Sequence, residues 1–233
     1  MTTTVGVVGA TGRLGSVAVE TINAMDGFTA KPIEGRGDVD FSGCDRVFEA
    51  TVFDASAAIV RAAVDAGLPT VVATSGWTAE RVDELADEGA NGVRIVPNFS
   101  VGSVLSTHLA TVAAQHLPYA EVIEAHHEAK TDAPSGTAVR TAERIAEVRE
   151  QQAFTPDEPG RGTIVEGVPV HALRLPGVSA WQEVRFGGTG ETLTIRHDTL
   201  SSNSYATGIA LAIGAQTPEG VVVGLDDLLG LTS

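Results

Sequence analysis

The sequence predicts an α/β chain: a parallel-sheet domain plus a second α+β domain with an open, mostly antiparallel or mixed sheet. Short apolar runs alternate with helical stretches through Ser100, the pattern of a parallel sheet with right-handed crossovers. A glycine turn, Gly9-Ala-Thr-Gly-Arg-Leu-Gly15, separates the first run from the first helix. Beyond Val101 the texture changes, and alternating segments follow one another with mostly turns between them. These observations give a Rossmann-type dinucleotide-binding domain over 1–100 and 206–233 and a second domain over 101–205.

Thr4-Val-Gly-Val-Val8 is a short apolar run suited to a buried parallel strand. The helix after the glycine turn runs to Ala24-Met25, and Phe28–Glu34 is the second strand, which Pro32 assigns to a sheet edge. Arg46–Thr51, Thr70–Thr74 and Val93–Val96 read as strands, with helices at Ser56–Ala66 and Ala79–Glu88 between them. Val104–His116 is a helix, Val122-Ile123 the end of a strand, and Ala138–Val148 an amphipathic helix. Phe154–Gly162 is rich in turn formers and reads as a mobile loop. Val168–Leu175, Ala180–Phe186 and Glu191–His197 alternate as strands, the last two joined by a hairpin at Gly187–Gly190. Tyr205–Gly214 is a helix able to pack back on the first domain.

Composition excludes several function classes. A hydrophobic content of 43% with 19% charged residues is ordinary for a soluble globular chain of 233 residues. The formal charge of −15 argues against nucleic-acid binding, which needs a basic footprint. Apolar runs are too short to span a bilayer, and no basic segment precedes the first strand, so neither a membrane anchor nor a signal peptide is expected. The single cysteine, Cys44, fits a cytoplasmic protein and reads as packing filler. No Cys/His cluster has zinc spacing, and no metal is expected. Only Lys31 and Lys130 are lysines among fifteen cationic residues, and this acid-rich surface suits a cytoplasm of very high salt.

The glycine turn carries the first chemistry. Glycines let the chain turn tightly and bring backbone amides to a pyrophosphate, while the helix start adds the positive end of its dipole. Glu34 then stands roughly 20 residues on, where an acid meets ribose hydroxyls, and Arg36 is placed to pair with a 2′-phosphate, which leaves NADH and NADPH both open. The strand ends at Ala73–Gly76 and Pro97–Phe99 face the same ligand-binding edge, although core is the commoner fate of a phenylalanine such as Phe99.

The second chemistry lies in Glu124-Ala-His-His-Glu-Ala-Lys-Thr-Asp-Ala-Pro-Ser-Gly-Thr-Ala138. Histidine suits acid/base work near neutrality, and His126 and His127 precede Lys130 in what reads as loop. Pro134-Ser-Gly-Thr137 then opens a helix: Ser135 is a plausible N-cap, and free amides there would grip a carboxylate. His108, His116, His171 and His197 read as packing or surface residues.

This block resembles the signature of the dihydrodipicolinate reductase family, the 4-hydroxy-tetrahydrodipicolinate reductases of lysine biosynthesis. The resemblance extends over the whole chain through Gly9–Leu14, Ala73–Trp77, Pro97–Gly102 and Phe186–Asp198. It implies a Rossmann domain completed by the C-terminal segment and a central domain whose open sheet builds a homotetramer. It also implies NAD(P)H-dependent reduction of an unsaturated dicarboxylate, with hydride from C4 of the nicotinamide. His126 then matches the acid/base residue and Lys130 the proton donor, while His127, Ser135, Gly136 and Thr137 match substrate-binding positions. Gly9, Ala10, Thr11, Gly12, Arg13, Leu14, Glu34, Ala73, Thr74, Ser75, Val96, Pro97, Asn98 and Phe99 match cofactor positions, and Arg36 stands as the cofactor candidate named above. The chain departs from the family pattern in a short Arg36–Arg46 stretch, in Gly35 between Glu34 and Arg36, and in Ser202 where many relatives carry arginine.

Two other readings remain open on sequence alone. Val8-Gly-Ala-Thr-Gly12 also occurs in short-chain dehydrogenase-like proteins, although neither Tyr119 nor Tyr205 has a lysine four residues on. A redox sensor that binds NAD(P) without turnover would leave His126 and Lys130 idle.

Overall fold

Val5, Val7 and Val8 are wholly buried in β1 (Thr3–Val8), because helices cover this strand on both faces. The structure, a computed structural model, describes residues 2–35, 39–149 and 159–231. Two units are distinguished: Met1–Val101 with Ser202–Ser233, and Gly102–Ser201.

The first unit contains β1, α1 (Arg13–Ala24), β2 (Phe28–Ile33), β3 (Arg46–Glu49), α2 (Phe53–Asp65), β4 (Thr70–Val72), α3 (Ala79–Asp87) and β5 (Val93–Ile95). After the second unit the chain returns as α6 (Ala206–Gly214) and β11 (Val221–Val223). The sheet has the order β2-β1-β3-β4-β5-β11, and every pairing is parallel. β2 is an edge strand, as Pro32 predicts, since a proline cannot donate to a ladder on both sides. Val5, Val7 and Phe48 pack with Val17, Ala18 and Ile22 of α1 and with Ile209 and Ile213 of α6. Val8 and Val47 meet Ile59 and Ala63 of α2, and Val72, Val93 and Ile95 lie with Leu85 of α3. Each fully buried isoleucine contributes about 1.5–3 kcal/mol.

Cys44 sits where the reading as filler puts it. Its Sγ lies 2.9 Å from where a β-carbon on Gly6 would stand, and burial raises its thiol pKa. β11 carries too short a pattern to be read from sequence. Arg94 on β5, itself buried, ties this end of the chain down by pairing both terminal nitrogens with Asp227 at 2.7 Å.

The second unit holds α4 (Val101–Ala114), β6 (Tyr119–His126), α5 (Gly136–Glu147), β7 (Thr163–Val165), β8 (Val168–Arg174), β9 (Ala180–Gly188) and β10 (Glu191–Thr199). Its sheet runs β10-β9-β6-β8-β7, with β6 and β8 parallel and the other pairs antiparallel. The mixed sheet expected from the sequence is therefore present. Ala110 and Ala114 of α4 and Ala138, Ala142 and Ile145 of α5 pack on Val122, Val170, Val184 and Phe186. The β9–β10 hairpin is tighter than its glycine run suggests: Gly188 pairs with Glu191, and Gly190 adopts φ +80°. Of the predicted loop Phe154–Gly162, residues 154–158 lie outside the described residues, and a short 3-10 turn spans Pro159–Arg161.

Candidate active site

In the second unit, strand alternation places Glu124 and His126 on the same side of β6. The parallel register then sets Arg174, the last residue of β8, opposite His126. Glu124 is wholly buried, and its carboxylate accepts from four donors. His126 Nδ1 lies 2.6 Å from Oε2, the Ser135 amide 3.0 Å from Oε1, and the two terminal Arg174 nitrogens each 2.9 Å from one oxygen. Burial alone would raise the Glu124 pKa. The His126, Arg174 and Ser135 donors outweigh it and hold the carboxyl below its usual range. An ionised carboxylate only accepts, so His126 carries its proton on Nδ1 and keeps Nε2 for other partners.

After His126 the chain leaves the sheet in a turn closed by the Lys130 amide donating to the His127 carbonyl at 3.1 Å. Lys130 and His126 therefore do not share a helix face. Lys130 Nζ lies 2.7 Å from Asp132 Oδ1, and this hydrogen bond lowers the Asp132 pKa. Ser135 is the N-cap of α5, its Oγ accepting from the Ala138 amide at 3.3 Å. Gly136 and Thr137 follow as the first helical residues, and helix geometry leaves their amides without an intrahelical acceptor. His127, next to His126 in sequence, is half-buried.

In the first unit the chain passes from β1 to β2 on one side and returns to β3 on the other. The switch point thus lies at the carboxyl ends of β1 and β3, where α/β sheets bind ligands. Gly9 occupies φ +84°, and a β-carbon there would stand 2.3 Å from the Ala50 carbonyl oxygen. Gly15 presses against the same turn, its β-carbon position being 2.1 Å from the Gly9 oxygen. Gly12 begins α1 with no side-chain cap and no acid in the first turn, so the amides of Arg13 and Leu14 are open to an anion. That arrangement fits a pyrophosphate.

The remaining predicted cofactor positions divide. Ala10, Thr11, Glu34, Ser75 and Pro97 stand at strand ends or turns and are half-buried or exposed. Val96 and Phe99 have side chains in the core, Phe99 with its ring 5.5 Å from that of Phe48, so only their backbone is open to a ligand. Asn98 is half-buried, and its Oδ1 accepts from the Ser100 amide. Ala73 and Thr74 follow β4, where Thr74 Oγ1 donates to Glu49 at 2.9 Å. Arg36 lies outside the described residues.

Sequence reasoning gave no role to Glu124, Arg174 or Glu49. Glu124 and His126 share a strand face at i, i+2, which alternation makes visible. Arg174 enters through the β6/β8 register, which no local pattern announces. Glu49, wholly buried at the end of β3, accepts from the Thr51 amide and hydroxyl, from Thr74 and from Ser56.

A parallel sheet with an uncapped glycine turn at its switch point, together with a mixed-sheet unit carrying an oriented histidine, defines a two-unit oxidoreductase of the Rossmann type. The family models for the dihydrodipicolinate reductase N-terminus and C-terminus match residues 3–99 and 102–229. The chain belongs to the dihydrodipicolinate reductase family. It is 47% identical to the 4-hydroxy-tetrahydrodipicolinate reductase of Clavibacter sepedonicus, over 99% of this chain and 87% of that protein. It is 43% identical to the enzyme of that name from Mycobacterium marinum (strain ATCC BAA-535 / M), over 97% and 99%. The dipicolinate-bound dihydrodipicolinate reductase from Paenisporosarcina sp. TG-14 superposes with a TM-score of 0.82 at 28% identity, covering 97% of this chain and 99% of that one. Among the described residues, no helix is long and apolar enough to cross a membrane.

Proposed function

We propose that this chain reduces 4-hydroxy-tetrahydrodipicolinate to tetrahydrodipicolinate with NADH or NADPH, as a cytoplasmic homotetramer. The observation that carries the proposal is the His126 ring, held through Nδ1 by an ionised Glu124 at the start of an anion-ready helix. A bound nicotinamide cofactor supplies the hydride from C4. The amides of the Gly9–Leu14 turn would hold its pyrophosphate and Glu34 would meet its ribose hydroxyls, and Arg36, two residues on in sequence, is the candidate for a 2′-phosphate. Ala73, Thr74, Ser75 and the Val96–Phe99 backbone border the same ligand.

In the second unit, His127, Ser135 and the amides of Gly136 and Thr137 grip the substrate carboxylates. A carboxylate at a helix start meets both unpaired N–H groups and the positive dipole end. The 4-hydroxyl leaves as water to give the unsaturated acceptor, and one hydride with one proton from Lys130 or His126 then reduces that ring. Substrate, NAD(P)H and a proton thus give tetrahydrodipicolinate, NAD(P)+ and water. His126 releases its proton from Nε2 when charged, and Lys130 from its ammonium. The dipicolinate bound by the Paenisporosarcina relative is a dicarboxylate of this class.

The test mixes purified protein with freshly generated 4-hydroxy-tetrahydrodipicolinate and follows loss of reduced-nicotinamide absorbance. Oxidation in proportion to product supports the proposal, and relative efficiencies with NADH and NADPH settle the preference. A protein that binds cofactor but never oxidises it would be a sensor instead.

A further inference from the structure

Glu124 and Arg174 form an ion pair whose carboxylate is wholly buried and whose guanidinium side chain is 17% exposed. Removing two charges from water is costly, and a hydrophobic pair of similar volume is often as stable. Packing therefore does not explain the pair. Its bonds reach the proposed acid/base residue and two points of the loop between β6 and α5.

Through Glu124 the pair holds His126 Nδ1 and the Ser135 amide, at the two ends of the 126–135 segment. Through Arg174 Nη2 it holds the Asp132 carbonyl, in the residue whose carboxylate pairs with Lys130. Arg174 Nη1 is also fixed by the Leu173 carbonyl at 2.7 Å, so the fork has one orientation. Thr131, Asp132 and Ala133 are exposed and bury no apolar side chain that could hold the loop.

We propose that the Glu124–Arg174 pair is a positioning device for proton transfer, presetting His126, Lys130 and the helix-start clamp while balancing the charge beside the imidazole. The proposal rests on the reductase reading. Glu124 brings a negative charge to the ring and Arg174 a positive one to Glu124, so removing one or the other changes the local charge with opposite sign. On the loop that follows, Asp132 and Lys130 pair with each other. In the β6–β9 register Gln182 stands opposite Glu124 and Ala180 opposite His126, and Ser135 caps α5, all neutral.

The experiment measures kcat against pH, with cofactor affinity by fluorescence titration and folding by circular dichroism. Glu124→Gln removes the anion and leaves the cation, so the pH midpoint of turnover moves down by about one unit or more. Turnover itself falls by roughly 100-fold or more, because an amide no longer enforces the Nδ1–H tautomer. Arg174→Met leaves the anion alone, and the midpoint moves up. Arg174→Lys restores the midpoint but not full turnover, since an ammonium cannot span both Glu124 oxygens and the Asp132 carbonyl. Cofactor affinity stays at the wild-type level throughout.

Midpoints that stay put or move together, with His126→Gln inactive, would overturn the positioning role and leave the reductase reading intact. An active His126→Gln enzyme would instead sink the reading on which the role rests. Should either single variant fail to fold, Glu124→Gln/Arg174→Met tests the same point. That variant leaves no unpaired buried charge and folds whichever role is right; lowered turnover at unchanged cofactor affinity then supports the proposal, and wild-type turnover overturns it.

Discussion

Gly15→Ala tests whether the turn after β1 is shaped for a ligand. The added β-carbon would stand 2.1 Å from the Gly9 carbonyl oxygen and 2.8 Å from its carbon. Ordinary carbon–oxygen contacts begin at about 3.3 Å, so the overlap is about 1 Å. Both colliding atoms belong to backbone, so no rotamer change relieves it. Nor can Gly9 retreat, because it already faces the Ala50 oxygen at 2.3 Å from its own β-carbon position. The turn must open, and with it the 2.9 Å bond from the Gly12 amide to the Gly9 oxygen. Overpacking of this kind costs about 1–3 kcal/mol of stability. The first-turn amides of α1 shift with the turn, and losing one charge-assisted bond to a pyrophosphate, about 1.5–3 kcal/mol, weakens binding roughly 10- to 100-fold. NADH and NADPH titrations followed by fluorescence, paired with thermal melts, measure both effects. Gly160→Ala is the control, since its β-carbon meets nothing within 4 Å. Wild-type affinity and melting for Gly15→Ala would refute the assignment of this turn.

Four further outcomes are expected. His126→Ala and Lys130→Ala each lower kcat by roughly 100-fold or more while cofactor affinity holds, and Lys130→Arg behaves like Lys130→Ala; steady-state kinetics and cofactor titration check all three. Glu49→Ala strands buried hydroxyls of Ser56 and Thr74 and lowers unfolding free energy by about 1–3 kcal/mol, read from denaturant curves. The Glu124 carboxyl is depressed below its ordinary 4.5, so its stabilisation is complete above that pH and is lost as pH falls through the folded value. Melting temperature should drop below about pH 4.5, and less steeply in Glu124→Gln. With a net charge of −15 and few lysines, melting temperature and activity should rise from low to molar salt as surface repulsion is screened; a flat response would remove the high-salt assignment.

Much of the first unit was legible because its determinants are local. The run ending at Val8, the Gly9–Gly15 spacing and Pro32 on the edge strand each act within a few residues of where they stand. Strands β7 and β11 were not legible: β4 and β5 are as short but fall within the regular strand–helix alternation, whereas β7 and β11 follow turn-rich stretches without that frame. In the second unit, His126, Lys130 and Ser135 stood out by chemistry within one contiguous block. Arg174 did not, because it arrives from β8 through a parallel pairing fixed by tertiary packing. Phe99 shows the reverse limit: its place at a strand end was legible, but the inward direction of its ring was not.

The contact between Lys130 and Asp132 bears on why a lysine stands there. Asp132 is 55% exposed and Lys130 24%, so the ion pair is partly screened and contributes little to stability. An arginine would pair with that carboxylate at least as well, and this chain uses arginine for nearly all its cations. Lys31, the other lysine, donates from Nζ to the Ser42 carbonyl at 2.6 Å, a contact that needs only a donor. Neither pairing nor surface charge therefore requires a lysine at position 130. What lysine has and arginine lacks is an ammonium able to release its proton to a substrate. The Asp132 contact holds Nζ in one direction, as the proposed donor role requires.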